Sequence, residues 1–418
     1  MSIRTRLIAC RIILTWSALL AYGMPAVGAV SYTVIDLGTL GGSSSRGQSI
    51  NNLGQVTGAL VTAQGSTHAF LYSGGNMTDL GTAGGRYSIG FGINSVGQIA
   101  SAGDDTGGTD RILLYQNGGW QILGGLFAQL TFLNYAFAIN DEGAITGQSN
   151  TETGEIHAFL YSSNGMRDLG TLGGPFSYGY AINRSNYVTG VATFPRDPVT
   201  LLYPSHAFLH DGVTMLDLGT LGGESSVGYG MNDLGQIAGS SQVADGDWHA
   251  ALYAAGAWSD LGTLGGTNAS MRAINEKGEA VGYYLRAGDR RAMVYTGNTL
   301  QDLNDLIPAG SEWILVDGFG INDQGQITGE GSIGGKNHAF LAIPLPDHPT
   351  LLIQPVAADQ VLLSWPGEFG PPWKLQFARQ LLSTNWLDST ASPLVVGGRY
   401  VLTNAITTNL SFFRLFKP

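Results

Sequence analysis

The chain is built from a unit that recurs seven times. Its clearest signature is Ile-Asn (Met-Asn once) followed by a turn, and successive asparagines lie 43, 46, 43, 49, 43 and 47 residues apart. A regular period of this size indicates an array of supersecondary units, each of which buries its apolar face only against its neighbours. The signature asparagines are Asn51, Asn94, Asn140, Asn183, Asn232, Asn275 and Asn322.

Two further signatures alternate with the first, and each also occurs seven times. One is an aspartate followed by Leu-Gly and usually Thr-Leu-Gly-Gly; the other is His-Ala-Phe-Leu-Tyr or a relative of it. The first begins at Asp36, Asp79, Ile122, Asp168, Asp217, Asp260 and Asp302. The second begins at His68, Arg111, His157, His206, His249, Arg291 and His338.

Each unit contains four short runs with strand character, separated by glycine or polar turns. One unit has them at 178–183, 187–191, 207–210 and 214–218. No segment keeps the i, i+3, i+4, i+7 spacing of an amphipathic helix for more than a turn. Four strands in about 40–45 residues is the size of a β-propeller blade.

The two ends of the array complement each other. It opens with a lone fourth strand at 32–37 and closes with a lone third strand at 338–343. We therefore predict an all-β fold: a seven-bladed β-propeller closed by the N-terminal strand, followed by a small β-sandwich. The alternative, an open β-solenoid, is expected to carry polar caps, and none is visible in the sequence.

Four segments follow from this interpretation: a signal peptide at 1–29, the propeller at 30–345, a linker at 346–349 and the sandwich at 350–418. The signal peptide has a basic start, an apolar run at 12–21 and a small-residue cleavage site, Val27-Gly28-Ala29. The apolar run is too short to span a bilayer, so we expect no transmembrane segment in the mature chain. We expect an exported protein that is extracellular, periplasmic or at the cell surface.

Charge and cysteine content narrow the classes of partner. Removing the signal's three arginines takes the formal charge from −11 to −14. Such an acidic chain repels phosphate backbones, which disfavours nucleic-acid binding. The single cysteine, Cys10, leaves with the signal, so the mature protein is expected to have no disulfide.

The C-terminal segment departs from the repeat. Apolar runs at 351–353, 361–365, 373–377 and 412–415 predict a small β-sandwich, and Trp365, Trp373 and Trp386 are expected to anchor its core. This tail loosely resembles a short fibronectin type III or immunoglobulin-like module.

The array itself resembles the bacterial extracellular HAF-repeat family. The resemblance lies in the His-Ala-Phe-Leu-Tyr and Asp-Leu-Gly-Thr-Leu-Gly-Gly elements and covers nearly all of 32–343. It implies export and a repetitive β-fold. It brings no catalytic residues.

The repeated polar residues are interpreted as structural. One histidine per unit is too widely spaced for a common metal site, so we expect the histidines to cap strands by hydrogen bonding. The repeated aspartate is expected to accept N–H bonds from the glycine turn that follows it. The asparagine is expected to open the turn between the first two strands.

No motif for nucleophilic, zinc or nucleotide chemistry is found, and no cofactor is expected. Calcium is the exception to consider, since it prefers oxygen ligands. Asp245 with Asp247, and the group Asp104, Asp105 and Asp110, supply such oxygens but complete no loop signature. Solvated acidic turns are the interpretation we favour.

A binding site is expected where one unit departs from the others. The step from the turn glycine to the next His or Arg is 16 residues at 191–205 and 9 or 10 elsewhere. Two links between units also lose the Thr-Leu-Gly-Gly motif. Propeller topology places all these loops on one rim, where loops commonly carry recognition. The predicted ligand-binding residues are Phe194, Arg196, Asp197, Tyr203, Phe127, Asn304 and Asp305.

Three functions remain open on this basis. The leading hypothesis is a non-enzymatic binding or adhesion protein that presents this rim to a polysaccharide or a protein. A propeller-type glycoside hydrolase or lyase would instead need two carboxylates about 5–10 Å apart, with Asp104, Asp110, Asp245 and Glu312 as candidates. The third is a structural matrix component.

Overall fold

A computed structural model of the protein describes residues 31–127, 133–345, 351–357, 360–366, 374–378, 386–389, 391–405 and 412–416. The predicted signal peptide, the predicted linker and Trp373 lie outside the described residues. Within them the fold is all-β, with one 3-10 turn at Leu303–Leu306 as its only helical element.

Thirty-five strands are described in chain order. The first is β1 (Tyr32–Gly38), and the next twelve are β2 (Ser44–Ile50), β3 (Val56–Val61), β4 (Thr67–Ser73), β5 (Asn76–Asp79), β6 (Ser88–Ile93), β7 (Ile99–Asp104), β8 (Asp110–Gln116), β9 (Gly119–Gly124), β10 (Tyr135–Ile139), β11 (Ile145–Asn150), β12 (Ile156–Ser162) and β13 (Gly165–Asp168).

The array continues through fifteen more strands. They are β14 (Ser177–Ile182), β15 (Val188–Thr193), β16 (Ser205–His210), β17 (Met215–Asp217), β18 (Gly222–Met231), β19 (Ile237–Val243), β20 (Trp248–Ala254), β21 (Ala257–Gly262), β22 (Ala269–Ile274), β23 (Ala280–Arg286), β24 (Asp289–Thr296), β25 (Thr299–Asp302), β26 (Ile314–Ile321), β27 (Ile327–Ile333) and β28 (Lys336–Pro344).

These strands form seven four-stranded antiparallel units, two of which, β14–β17 and β18–β21, are joined by a single parallel pairing of Ser205 with Ser225. Six units take consecutive strands, from β2–β5 to β22–β25; the seventh has the order β1-β28-β27-β26. The predicted pairing of the N-terminal strand with the last repeat is thus confirmed, with Tyr32 opposite Pro344 and Asp36 opposite Phe340. Neighbouring first strands contact each other around the array, and β2 contacts β26, which closes the ring.

An apolar core fills the space within and between the units. Phe70, Phe159, Phe208 and Phe340, from the His-Ala-Phe signature, are completely buried. Each packs with apolar residues of its own sheet and of the adjacent one, as Phe340 does with Val281 and Leu303. Adjacent sheets therefore depend on each other for burial, as the regular period predicts.

The signature polar residues behave as structural ties. In five units the histidine Nδ1 lies 2.7–2.9 Å from the signature aspartate, as in His157 with Asp168. The same aspartates accept the predicted N–H bond from the following glycine, such as Gly170 to Asp168 at 2.7 Å. Burial works to raise the pKa of Asp168, but these bonds bring it below its usual value.

The signature asparagines do more than open a turn. All seven are buried, and in six of them the amide nitrogen donates to the backbone carbonyl of the next unit's asparagine. Such bonds run from Asn51 to Asn94 to Asn140 to Asn183 and from Asn232 to Asn275 to Asn322, at 2.8–3.2 Å. Asn322 then donates to the carbonyl of Asn51 at 3.0 Å, across the closure.

The C-terminal residues form two further sheets. Strands β29 (Leu352–Ala357), β30 (Gln360–Pro366), β31 (Lys374–Ala378), β32 (Leu387–Asp388), β33 (Leu394–Val396), β34 (Arg399–Ala405) and β35 (Phe412–Phe416) pair in the orders β29-β30-β34-β33 and β32-β31-β35. Both sheets contribute to one apolar cluster. Trp365 is buried there as predicted, whereas Trp386 is half-buried and lies under the Arg414 guanidinium at 4.3 Å.

The asparagine ring can be tested by an Asn322→Asp substitution. A carboxylate at this buried position cannot donate to the Asn51 carbonyl, which leaves buried polar groups without partners. We predict a loss of about 2 kcal/mol or more in the free energy of unfolding, measured by urea denaturation. Asn94→Asp, which removes the equivalent bond of the next unit to the Asn140 carbonyl, should cost a similar amount.

Asn164→Asp, at an exposed turn, is the matched control and should change stability little. If Asn322→Asp were as mild as Asn164→Asp, the closure bond would contribute nothing to the fold.

Candidate ligand-binding channel

Seven equivalent β-bulges surround the axis of the ring. Each first strand shifts register at the same point, for example between Gly90 and Gly92 in β6 and between Gly179 and Ala181 in β14. A bulge inserts one unpaired residue and re-aims its side chain. The residues at the seven bulges are Gln48, Phe91, Phe137, Tyr180, Tyr229, Arg272 and Phe319.

All seven bulge residues line one central cavity of about 340 Å³. We call this set of seven the collar. The residue before the collar position is glycine in five units and alanine in one, because the neighbouring sheet approaches closely there; Met271 is the exception. A Cβ on Gly90 would lie 2.1 Å from the Thr57 hydroxyl, and one on Gly179 would lie 2.2 Å from that of Thr146.

Six of the seven collar residues, all but Gln48, form a continuous series of side-chain contacts. Phe91 meets Phe137 with centroids 5.3 Å apart, Phe137 meets Tyr180 at 5.4 Å, and Tyr180 stacks on Tyr229 at 5.2 Å. The guanidinium of Arg272 continues the series, 4.6 Å from the ring of Tyr229 and 6.0 Å from that of Phe319. The cavity wall is therefore mainly aromatic, with one cation and one amide.

A cluster of five charged side chains adjoins the collar beside Arg272. We call this group the charged cluster; it consists of Arg46, Arg272, Arg290, Asp317 and Glu330. One Arg290 nitrogen lies 2.6 Å from Asp317 Oδ2, and Arg272 Nε lies 3.9 Å from the same oxygen. Arg46 Nε lies 3.2 Å from Glu330. Three neighbouring sheets contribute these groups: the first, the sixth and the seventh.

Asp317 lies at the centre of the cluster and is 1% exposed. Its carboxylate approaches Arg290 closely, but neither oxygen makes a hydrogen bond of good geometry to the described protein atoms. The contact is thus an ion pair without directional bonding. Burial raises the pKa of Asp317 to about 6, against the opposing effect of the charges on Arg272, Arg290 and Arg46.

The arginines are also incompletely bonded. The Nε atoms of Arg272 and Arg290 are buried without a hydrogen-bond partner among the described residues. Both guanidinium groups lie over Tyr283, Arg290 at 3.5 Å and Arg272 at 5.0 Å from its ring centre. This stacking fixes their planes and leaves edge N–H groups available to an acceptor.

The two ends of the channel differ in charge. At the asparagine end, carboxylates accept backbone N–H bonds from the preceding unit, as Asp233 does from Arg184 at 2.7 Å and Asp323 from Glu276 at 2.9 Å. Asp141, Glu276 and Asp323 line a small cavity of about 180 Å³ there. The charged cluster lies toward the opposite end, because Arg46 and Asp317 come two residues before the collar positions of β2 and β26, on the side away from the asparagines.

The loops predicted to bind a ligand emerge at the same end as the charged cluster, but their residues are separate from it. Phe194 packs edge-on against His206 at 4.8 Å, and Tyr203 packs against Phe176 at 5.9 Å. Asp197 accepts two N–H groups of its own turn, and Arg196 donates to the carbonyl of Leu201. The insertion is thus braced mainly by contacts within its own sheet.

The other predicted residues also lie outside the charged cluster. Asn304 bonds both the N–H and the carbonyl of Leu315, which positions the strand that carries Asp317. Asp305 is exposed, and Phe127 is partly exposed at the end of a described segment.

The acidic residues considered as calcium ligands or catalytic groups form ion pairs and hydrogen bonds or lie exposed on the surface. Solvated turn was the wrong interpretation for Asp104, which is fully buried and pairs with Arg86 Nε at 2.6 Å. Asp105 pairs with Arg111 at 2.7 Å, and Asp110 accepts the Tyr87 hydroxyl. Asp245, Asp247 and Glu312 are exposed. Among the described residues, no group of three or more acidic or histidine side chains is placed to hold a metal ion.

Sequence reasoning missed the collar and the charged cluster, although a signal was present. The residue three places before each signature asparagine is aromatic in five units and Gln48 or Arg272 in the other two. Comparing units at that position would have identified both a shared surface and its exceptions.

The raised pKa of Asp317 gives a pH-dependent prediction. An acid that binds its proton more tightly in the folded protein stabilises it at low pH, and this stability is lost as pH rises through the folded pKa. A rise of the Asp317 pKa from 3.8 to about 6 corresponds to about 3 kcal/mol of folding free energy. We predict that the unfolding free energy of the unmodified protein falls by that amount relative to Asp317→Asn between pH 4 and 7.

Denaturant titrations at several pH values measure this difference. Asp247→Asn, which removes an exposed carboxylate, is the control and should give a curve parallel to the unmodified protein. Parallel curves for Asp317→Asn as well would show that Asp317 titrates normally.

Comparison with known proteins assigns no family. No family model matches the chain, and no curated protein is similar to it in sequence. Within the described residues, no helix is long and apolar enough to cross a membrane.

Three solved structures are similar at low identity. TolB from Acinetobacter baumannii is 11% identical with a TM-score of 0.42, and the match covers 58% of this chain and 61% of TolB. A puromycin-hydrolysing peptidase from Mycobacterium tuberculosis is 13% identical with a TM-score of 0.48, covering 79% and 59%. The fucose-binding lectin of Aleuria aurantia, a six-bladed β-propeller, is 14% identical with a TM-score of 0.32, covering 61% and 93%. These similarities assign no activity and no ligand to this chain.

Proposed function

We propose that this protein is an exported, non-enzymatic binding protein that takes a glycan at the channel mouth of a seven-bladed β-propeller. The observation that carries the proposal is the collar with its adjoining charged cluster. Repeated positions maintain the ring, whereas Arg46, Arg272, Arg290, Asp317 and Glu330 occur at positions where the other units carry different residues.

The seven-bladed architecture is supported by strand pairing and by the asparagine ring. In an open solenoid the Asn322 amide would be too far from the Asn51 carbonyl to bond it, whereas here they form a hydrogen bond of 3.0 Å. The seven four-stranded sheets are then the blades. The C-terminal sheets, which share one apolar cluster, support a small β-sandwich that serves as a spacer or attachment module.

Export rests on the N-terminal sequence and on the resemblance of the repeats to the extracellular HAF-repeat proteins. The acidic balance and the lack of cysteine after Cys10 agree with a protein that works outside the cytoplasm without disulfides.

The cavity suits a small polar ligand with apolar ring faces. A volume of about 340 Å³ lies at the lower end of the range for small-molecule sites, and a folded protein cannot enter it. Aromatic faces stack on the C–H faces of sugar rings, while Gln48 and the tyrosine hydroxyls can bond sugar hydroxyls. An adjoining groove of about 330 Å³ shares Gln48 and Phe91 with the cavity, so an oligosaccharide can continue outward.

The binding proposal is tested by a glycan array with the protein from residue 30 onward. Tyr229→Leu removes a stacking face between Tyr180 and Arg272 and should weaken glycan binding about tenfold, since such a contact is worth about 1 kcal/mol or more. Tyr187→Leu, at an exposed turn on the other end, is the control and should bind as the unmodified protein does.

A third variant with residues 195–203 replaced by a short glycine linker tests the insertion separately. Full binding by this variant, with loss in Tyr229→Leu, is the expected result. Loss with the shortened loop alone would place recognition on the insertion, and no binding to any glycan would overturn the proposed function in favour of a structural role.

A second candidate function is hydrolysis of a glycosidic bond. Its specific observation is that Asp317 and Glu330 lie opposite each other on β26 and β27, and that Asp317 has a raised pKa. Two carboxylates with different pKa values are the requirement for such chemistry. Against it, Asp317 is 1% exposed beneath Arg290 and Arg272, so it does not face a substrate.

The enzyme alternative is tested by measuring reducing ends released from the glycans that bind. We predict no release above that of a Glu330→Gln variant over a prolonged incubation. Release that is abolished by both Glu330→Gln and Asp317→Asn would instead establish the hydrolase.

A further inference from the structure

We infer that the ligand of the channel mouth is a saccharide that carries a carboxylate. Arg46, Arg272 and Arg290 hold its acid group, and the collar holds the apolar face of its ring. The inference rests on the proposed function and narrows it to one chemical class.

The charge balance of the cluster favours a monovalent anion. Three guanidinium groups face two carboxylates, so the site carries one net positive charge in a chain whose formal charge is −11. A bound carboxylate neutralises this excess, whereas a dianionic phosphate would reverse it. In a partly buried site such a balance matters, because uncompensated charge is costly there.

The bonding of the arginines is incomplete in the way that a missing acceptor would explain. Arg272 Nε and Arg290 Nε are buried without a partner among the described residues, and each such donor costs about 1–3 kcal/mol. Asp317 lies close to both side chains but makes no well-directed hydrogen bond to either. A ligand carboxylate has two oxygens that match the planar fork of a guanidinium group.

The arginine side chains are partly exposed; Arg272 lines the central cavity and Arg46 lines the adjoining groove. The Arg46, Arg290 and Arg272 side chains are 48%, 37% and 21% exposed, respectively. Glu330 shares its oxygens between Arg46 at 3.2 Å and Asn337 at 2.7 Å, which leaves other donors of Arg46 free to meet a ligand. Asp317 acts as a positioning residue that holds Arg272 and Arg290 side by side over Tyr283.

A sugar ring fits the surface next to these donors. Phe319 lies between two of the arginines, 5.6 Å from Arg46 and 6.0 Å from Arg272, and Tyr229 flanks Arg272 on the other side. The sugar ring that carries an acid group bound to the arginines can therefore stack on Phe319 or Tyr229. A simple small acid would leave those faces uncovered.

The electrostatics of the channel also give the ligand a direction. At the far end, Asp141, Glu276 and Asp323 surround the opening and repel an anion. An acidic saccharide therefore enters at the arginine end and extends outward along the groove that contains Arg46, Gln48 and Glu330.

Isothermal titration calorimetry on the protein from residue 30 onward tests the inference. The probes are trisaccharides of galacturonic, glucuronic and mannuronic acid, each beside its methyl ester, with a neutral and a sulfated galactose trisaccharide. We expect at least one free acid to bind at least tenfold more tightly than its ester and than the neutral and sulfated sugars. Binding should weaken with added salt.

Variants assign the effect to residues. Arg272→Gln and Arg46→Gln should each weaken binding of the free acid at least tenfold and bring it close to the binding of the ester. Arg184→Gln, at the acidic end, should leave it unchanged. Arg46 is half exposed, and Glu330 is its ion-pair partner among the described residues. Its variant therefore keeps the test valid if Arg272→Gln impairs folding, which the unfolding transition will reveal.

Equal binding of acid and ester, preference for the sulfated sugar, or full binding by Arg46→Gln and Arg272→Gln would each overturn the inference. So would failure of every acid in the panel. If neutral glycans still bind and Tyr229→Leu weakens them, the proposed function stands without the inference. If no glycan binds, both fail.

Discussion

The fold depends on a buried amide that serves two units at once. In Asn322 the side-chain oxygen accepts the N–H groups of Gln324 and Gln326 in its own turn, while the amide nitrogen donates to Gln326 and to the carbonyl of Asn51. A buried amide without a hydrogen-bond partner costs about 1–3 kcal/mol of stability. Each unit is therefore more stable when it has a neighbour on both sides. With seven units, a ring meets that requirement at six of the seven junctions, and the pairing of β1 with β28 removes the remaining open edge.

The collar follows from this constraint. Once the ring fixes the end of every first strand, a bulge three residues earlier points its side chain at the common axis in all seven units. The side chain at that position is released from core packing, because the residue before it faces the neighbouring sheet, as Gly90 faces Thr57. The identity of the collar residue can therefore vary without damage to the fold, and ligand recognition can reside there.

Much of the architecture could be predicted from the sequence because it is local or periodic. The turn at each asparagine, the bond from aspartate to the following glycine and the four strands per unit are set within one repeat. The closure by β1 was predictable because the two terminal fragments complement each other. Boundaries shifted by only a residue or two, as in β14, which covers Ser177–Ile182.

The site was not predictable by the same reasoning. Alternation along a strand has a period of two, and one inserted residue reverses it, so a simple pattern cannot tell which side of β22 carries Arg272. The charged cluster also joins residues as distant in sequence as Arg46 and Glu330, which only ring closure brings to 3.2 Å. Loop length was visible in the sequence and drew attention to 191–205 instead. Asp104 was misjudged because its partner Arg86 lies 18 residues away, in the bend before β6.

The energetics of the charged cluster argue for a role beyond stability. Buried ion pairs seldom stabilise a fold more than apolar residues of similar volume would, and Asp317 lacks the directed hydrogen bonds that make such pairs favourable. At the position of Arg272, five other units use an aromatic residue that extends the series of contacts without any charge to compensate. The fold therefore does not require a cation at this position. The charge of Arg272 is balanced by the carboxylate of Asp317, whose own pKa is raised by burial. Buried donors without partners gain most from a ligand that completes their bonding, which is why we propose recognition at the arginines and not on the longest loop.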